Sequence, residues 1–238
     1  MTNCNNCNTE IAQHYCPNCG QAAKIKRIDG HYIIHEIEHV LHFERGILYT
    51  IRELITRPGQ NIRNYLSANR SRLVKPIIFI IVTSLIYSLI NHFFHIEEAY
   101  AGLGEAKKSA TGSIFKWIQD HYGYSNIIMG VFIALFLQLF FRKAAYNFFE
   151  ILILLCFVMG IGMLIYAVFA LIEGFTHVHL MTPGSIIGIA YAVWAIGQFF
   201  DPKRAAGYIK SFVAYMLGMT TFWLLAFLSG TLIDLISK

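Results

Sequence analysis

Residues Pro76–Phe94 read PIIFIIVTSLIYSLINHFF, nineteen positions without an Asp, Glu, Lys or Arg. At 1.5 Å of rise per residue, such a stretch covers about the ~30 Å hydrocarbon core of a bilayer. Pro76 suits a helix start, where its missing N–H has no partner to lose. Four further apolar runs follow, at about 126–141, 148–172, 185–200 and 209–236. The second and fourth of the five, about 16 residues long, are short for a full crossing and imply little tilt or a thinned bilayer. The fold expected is mainly α, a transmembrane bundle of about five spans.

Composition agrees. Of 238 residues 56% are hydrophobic and 14% charged, and the mean hydropathy is +0.51. A soluble domain carries about 25% charged residues, so this chain cannot coat a globular surface of its size. Five cysteines are too sparse for a secreted disulfide scaffold, and 15% aromatic content excludes a disordered chain.

Polarity and charge are unevenly placed. Residues 1–75 hold ten of the 19 Lys and Arg. Alternating sides across five spans puts fifteen of these bases on one face and four on the other. The positive-inside rule then predicts a cytoplasmic N-terminus and a C-terminus outside. The opening residues, MTNCNNCNTE, contain no apolar core of a signal peptide. The +5 net charge therefore records topology more than it points to an acidic partner.

Ahead of the spans stand Cys4-x2-Cys7 and Cys16-Pro17-Asn18-Cys19-Gly20. Two CxxC pairs supply four thiolates for one tetrahedral Zn²⁺, and four cysteines close its coordination shell, which makes the site structural. Only eight residues separate the pairs, so the expected object is a minimal zinc ribbon over residues 1–23. So small a stretch has almost no core, and metal binding would have to supply its folding free energy. Paired disulfides or redox thiols are the competing reading, which a cytoplasmic location disfavours. His14 is then a bystander, and Cys156, in the third span, a small apolar core residue.

Residues 31–55 show the periodicity of an amphipathic helix: Ile33, Ile37, Val40, Ile47, Leu48, Ile51 and Leu54 share a face, opposite His31, His35, His39, His42 and Arg52. Before a membrane span, this pattern fits a helix lying in the cytoplasmic interface, within a helical region over 24–75 that precedes a transmembrane domain over 76–238. Inside it, His35-Glu36-Ile37-Glu38-His39 matches HExxH. In zinc proteases that spacing sets two histidines on one helix face and lets the intervening Glu, here Glu36, activate a metal-bound water. A third ligand at a suitable spacing is missing, because His42 and Glu53 follow too soon. A noncatalytic metal site of His35, His39 and His42 is a second reading, and a solvated or headgroup-facing stripe the default. Arg57-Pro58-Gly59 ends the helix, and a shorter one over 60–74 carries Arg63, Arg70 and Arg72, with Lys75 beside the span, as bases suited to anionic headgroups. Nucleic-acid binding by a ribbon with a basic helix is the lesser reading so close to a membrane.

Several stretches occur together: Cys16-Pro17-Asn18-Cys19-Gly20-Gln21, the run FERGILYTIRELITRPG over Phe43–Gly59, and Ile62-Arg63-Asn64-Tyr65-Leu66 with Arg70 and Pro76. Phe141-Arg142-Lys143 and Tyr146-Asn147-Phe148-Phe149-Glu150 follow them. In this combination the chain resembles a bacterial family of zinc-ribbon integral membrane proteins with a domain of unknown function. The resemblance implies a zinc ribbon, a multi-span helical domain and a bacterial inner-membrane location. It supplies no activity.

Span centres lack ionisable groups; Glu150, Glu173 and Asp234 sit at span ends. Gly184-x3-Gly188-x3-Ala192 and Ala214-x3-Gly218 have the spacing of close helix contacts. The loop over 95–125 reads as solvated, with His92, His95, Glu97, Glu98 and His121 as its metal-ligand types. Three functions follow in order: a noncatalytic, membrane-anchored interaction or sensing protein whose ribbon docks a partner; a small channel or transporter; and a zinc protease built on the HEIEH stretch. A thin bundle of five spans also invites a protein partner or a second copy.

Overall fold

The structure, a computed structural model, describes residues 2–4, 7, 9–11, 14, 16–19, 46–96 and 109–236. The chain forms two compact units, Met1–Glu44 and Arg45–Lys238. In the first, β1 (Thr2–Asn3) pairs antiparallel with β2 (Glu10–Ile11), Thr2 opposite Ile11 and Asn3 opposite Glu10. The Cys4 N–H donates to the Thr9 carbonyl at 2.9 Å and closes the turn that carries the first CxxC.

Every regular element among the described residues of the second unit is a helix. Two short helices, α1 (Ile47–Thr56) and α2 (Pro58–Ser67), precede α3 (Pro76–Phe94). Then come α4 (Ala110–Asp120), α5 (Tyr122–Phe140), α6 (Phe148–Thr176), α7 (Met181–Phe200) and α8 (Ala205–Ile236). Five of these helices, α3 and α5–α8, are long and apolar enough to cross a membrane.

The first span starts and stops as the sequence predicts. The two short runs lengthen to 19 and 20 residues, because polar residues join their first turns: Tyr122 to Ser125 in α5, and Met181-Thr182-Pro183-Gly184 in α7. A proline is tolerated there, since first-turn N–H groups have no intrahelical acceptor. The loop expected over 95–125 contains α4, capped by Ser109, whose hydroxyl accepts from the Gly112 N–H at 3.0 Å.

Of the amphipathic helix expected over 31–55, the described part Ile47–Thr56 is helical; residues 31–45 lie outside the described residues. Gly46, just before it, has a φ of +65°, in the left-handed region that glycine adopts freely. Leu54 is fully buried against the bundle, while Leu48 and Ile55 remain exposed. Arg57 ends α1 as expected, but Pro58 and Gly59 open α2 in place of forming a loop. The reason for Gly59 is space: a methyl group there would run into the backbone of Gln198 and Phe199 in α7.

Among the spans α6 is the most enclosed, packed by α3, α5 and α7, and α8 closes the bundle against α5 and α7. Lipid tails are as apolar as these side chains, so burial alone drives little association inside a membrane; close packing does. Small residues supply it. Gly184 and Gly188 lie under the rings of Phe169 and Tyr166, and Ala192 is buried. A methyl on Gly218 would stand 2.5 Å from the Ile133 Cα. Both small-residue spacings are therefore contacts within one chain. The hydroxyls of Thr83, Ser211, Thr220 and Thr221 return their protons to carbonyls of their own helices, so they form no polar track between helices.

Candidate functional site

The first unit gathers its four cysteines. The Cys4 and Cys19 sulfurs are 3.5 Å apart, and Cys7 lies 3.4 Å from both Cys16 and Cys19. All four sulfurs fall within 4.8 Å of one another, an arrangement that could hold a metal ion. Tetrahedral Zn–S bonds of ~2.3 Å place sulfurs about 3.8 Å apart, so the cluster has the right size. Cys4 and Cys16 are buried and Cys19 is exposed. The Cys7 thiol, held down mainly by the neighbouring Thr9 hydroxyl 3.3 Å from its sulfur, with the Thr9 backbone contributing, is lowered to about 6. A thiolate at neutral pH is the form that ligates metals. His14 is exposed and takes no part in the cluster.

The histidine candidates divide. His35, Glu36, His39 and His42 lie outside the described residues, as do Glu97 and Glu98. The rings of His92 and His95 lie tilted at 49° to each other, with centroids 6.0 Å apart. His121 instead lies on Trp117, at 4.8 Å between centroids, with its Nδ1 3.0 Å from the Trp117 carbonyl. Among the described residues the four cysteines are the single cluster that could hold a metal ion. Cys156 is buried in the core, as expected.

Three charged groups, one read from the sequence as headgroup-facing and two as span-end residues, have specific duties. One Arg63 terminal nitrogen donates to the carbonyls of Gln198 and Phe199, at 2.6 and 2.9 Å, where α7 leaves its last carbonyls without intrahelical partners. Glu173, buried at the end of α6, accepts from the backbone N–H groups of Leu180 and Met181 and so fixes the start of α7. The Asp234 carboxylate, late in α8, accepts from the Ala110 and Thr111 N–H groups and the Thr111 hydroxyl, at 2.5, 3.2 and 2.8 Å. It caps α4 from 123 residues away in the chain. These contacts are nonlocal, and hydropathy carries no trace of them.

Away from the hairpin of α1 and α2, the bundle contains a cavity of about 400 Å³ between α3, α5, α6, α7 and α8. Tyr87, Tyr122 and Tyr166 form an aromatic group on its wall, with centroids 5.1 and 6.1 Å from Tyr87. The sequence gives no periodic sign of the cavity, because its Tyr and Met residues are ordinary core residues.

Residues 44–88 match the model of a family described as Protein of unknown function (DUF3667). The matched stretch covers α1, α2 and most of α3. No curated protein and no solved structure matches the chain.

Proposed function

We propose that this is a noncatalytic, membrane-anchored interaction or sensing protein whose N-terminal ribbon is held by a structural zinc ion. The observation that carries the reading is the closed set of four thiols: with every ligand position filled by cysteine, no site is left for substrate or an activated water. Zinc suits a soft, tetrahedral, four-sulfur donor set of this size. The charge asymmetry supports a cytoplasmic ribbon and a bacterial inner-membrane location. A protein partner or a second copy is then the natural target of the ribbon.

A small channel or transporter is the second reading, favoured by the cavity. Against a through-path, Leu154, Leu155, Leu137 and Phe199 are fully buried in the core at the hairpin side of the cavity. The zinc protease on His35, Glu36 and His39 is the third.

Metal analysis of the full chain in lipid nanodiscs separates them, joined to flux and proteolysis assays and site-specific crosslinking. The expected result is one zinc per chain, lost in Cys4→Ser and Cys16→Ser, without ion flux or peptide cleavage. A discrete crosslink from the ribbon should vanish in the same variants while membrane insertion persists. A second zinc lost in His35→Ala, with cleavage abolished in Glu36→Gln, would establish the protease instead; conductance in liposomes would establish the channel.

A further inference from the structure

The cavity runs along α7 from Thr182 to Ala192, ten residues or about 15 Å of helix. Its volume of about 400 Å³ falls within the usual range for small-molecule pockets, roughly 300–1,000 Å³. Two observations indicate that the space is kept open for a ligand.

The first is Gly162, in the middle of α6. A glycine inside a helix is unfavourable relative to alanine and needs a reason. At several other span positions the reason is a neighbour: Phe79 against Gly160, Phe169 against Gly184, Ile133 against Gly218. A methyl group on Gly162 would meet nothing within 4 Å. The missing side chain widens the cavity and serves no helix contact.

The second is unsatisfied polarity. Tyr215 lines the cavity with only 7% of its surface exposed, and its hydroxyl makes no hydrogen bond with any described residue. Asn126, also lining and buried, gives one amide N–H to the Ser84 hydroxyl at 3.3 Å and leaves its carbonyl without a partner among the described residues. Buried hydroxyls and amides are normally paired: the Tyr215 hydroxyl calls for an acceptor from outside the chain, while the Asn126 carbonyl, an acceptor itself, calls for a donor such as water.

The rest of the wall defines that partner. No lining residue is an Asp, Glu, Lys, Arg or His, so a charged ligand would lose its hydration with no counter-charge in return. Five of the seven methionines line the cavity: Met129, Met159, Met163, Met181 and Met219. Their unbranched, polarisable thioethers adapt to varied apolar shapes and favour aromatic rings.

We propose that this cavity binds a neutral, largely apolar small molecule bearing a carbonyl-type acceptor, which accepts a hydrogen bond from the Tyr215 hydroxyl while its body lies among the lining methionines and aromatic rings. The site goes beyond the ribbon reading and stands independently of it.

Benzophenone is a suitable probe, being a neutral aromatic ketone that couples to neighbouring C–H groups on irradiation. Full-length protein in nanodiscs is titrated with it, irradiated, and the labelled residues are mapped by mass spectrometry. The expected result is saturable labelling of peptides containing Met129, Met159, Met163, Met181 or Met219. Gly162→Leu adds a side chain whose first carbon meets nothing within 4 Å on the cavity wall, and should sharply weaken the saturable label while the fold persists. Tyr215→Phe keeps the ring and should weaken half-saturation about five- to tenfold, the consequence of one lost hydrogen bond. Benzophenone-4-carboxylate, the charged analogue, should not label the site. Zinc-depleted Cys4→Ser protein should label like wild type, which keeps this result separate from the fate of the ribbon. Three results overturn the proposal: labelling that never saturates and spreads over lipid-facing residues such as Leu224 and Leu225, as simple partition into lipid would give; undiminished labelling in folded Gly162→Leu; or equal affinity in Tyr215→Phe, which would leave the buried hydroxyl to water alone.

Discussion

Arg63 tests whether the hairpin of α1 and α2 is anchored to the bundle or only attracted to lipid. Its guanidinium donates to two carbonyls at the end of α7, at 2.6 and 2.9 Å, and its side chain is half-buried. A hydrogen bond involving a charged group contributes about 1.5–3 kcal/mol net. Partial exposure and the sharing of one nitrogen between two acceptors keep the two bonds together close to the worth of a single one, so Arg63→Ala should cost about 2–3 kcal/mol. For a domain of this length that corresponds to a fall in Tm of about 5–10 °C. Arg63→Lys keeps the charge at the helix end but cannot present the planar fork, and should recover about half of the loss. Arg70, exposed, is the control: Arg70→Ala should stay within about 0.5 kcal/mol of wild type. Thermal unfolding followed by size-exclusion chromatography, in neutral and in anionic lipid, reads all three. The Arg63→Ala deficit should be the same in both lipids, because its acceptors are peptide carbonyls. Equal losses for the Arg63 and Arg70 variants, or a deficit seen only in anionic lipid, would refute the capping role and restore headgroup contact.

Two further substitutions probe the nonlocal contacts. Gly59→Ala forces a methyl into the Gln198–Phe199 backbone, which has no flexible side chain to move aside, so it should destabilise by about 2–3 kcal/mol despite alanine's better helix propensity; a neutral or raised Tm would mean that the hairpin does not approach α7 so closely. Asp234→Ala removes the acceptor for two N–H groups and one hydroxyl at the start of α4. It should cost about 1–2 kcal/mol and speed hydrogen exchange at residues 110–112 without affecting α6, whereas unchanged exchange there would disprove the cap.

The five spans are legible in the sequence because bilayer thickness converts directly into apolar run length, and nothing else need be known. The cysteine cluster is legible for a similar reason: two CxxC pairs are the spacing that can bring four sulfurs to the distances of one tetrahedral site, and the four sulfurs do lie together. The misread positions share the opposite property. Gly59 reads as a turn residue beside a proline, yet it is needed for contact with a helix 139 positions further along. Arg63, Arg70 and Arg72 look equivalent as basic residues before a span, but Arg63 caps α7, while Arg72 pairs with Glu53 at 2.9 Å and reaches the Tyr49 hydroxyl. Glu173 and Asp234 read as boundary markers because a carboxylate at a span end needs no further explanation from hydropathy. What each accepts depends on which backbone N–H groups the fold brings near.

The matched stretch, residues 44–88, gains a physical meaning from these contacts. Its fixed points are the buried Leu54 and Ile62, the close approach at Gly59 and the Arg63 cap, all turned toward the bundle. Tyr65 meets Phe157 of α6 edge-on at 5.2 Å, and Phe157 meets Phe79 of α3 at 5.9 Å, so one buried ring ties the hairpin to both helices. Two turns along α3 from Phe79 stands Tyr87, on the cavity wall. The first span is thus packed at one end against the ring that receives the hairpin and borders the cavity with its other half. A substitution at Phe79 should therefore disturb hairpin docking and cavity shape together, whereas Arg63→Ala should loosen the hairpin alone.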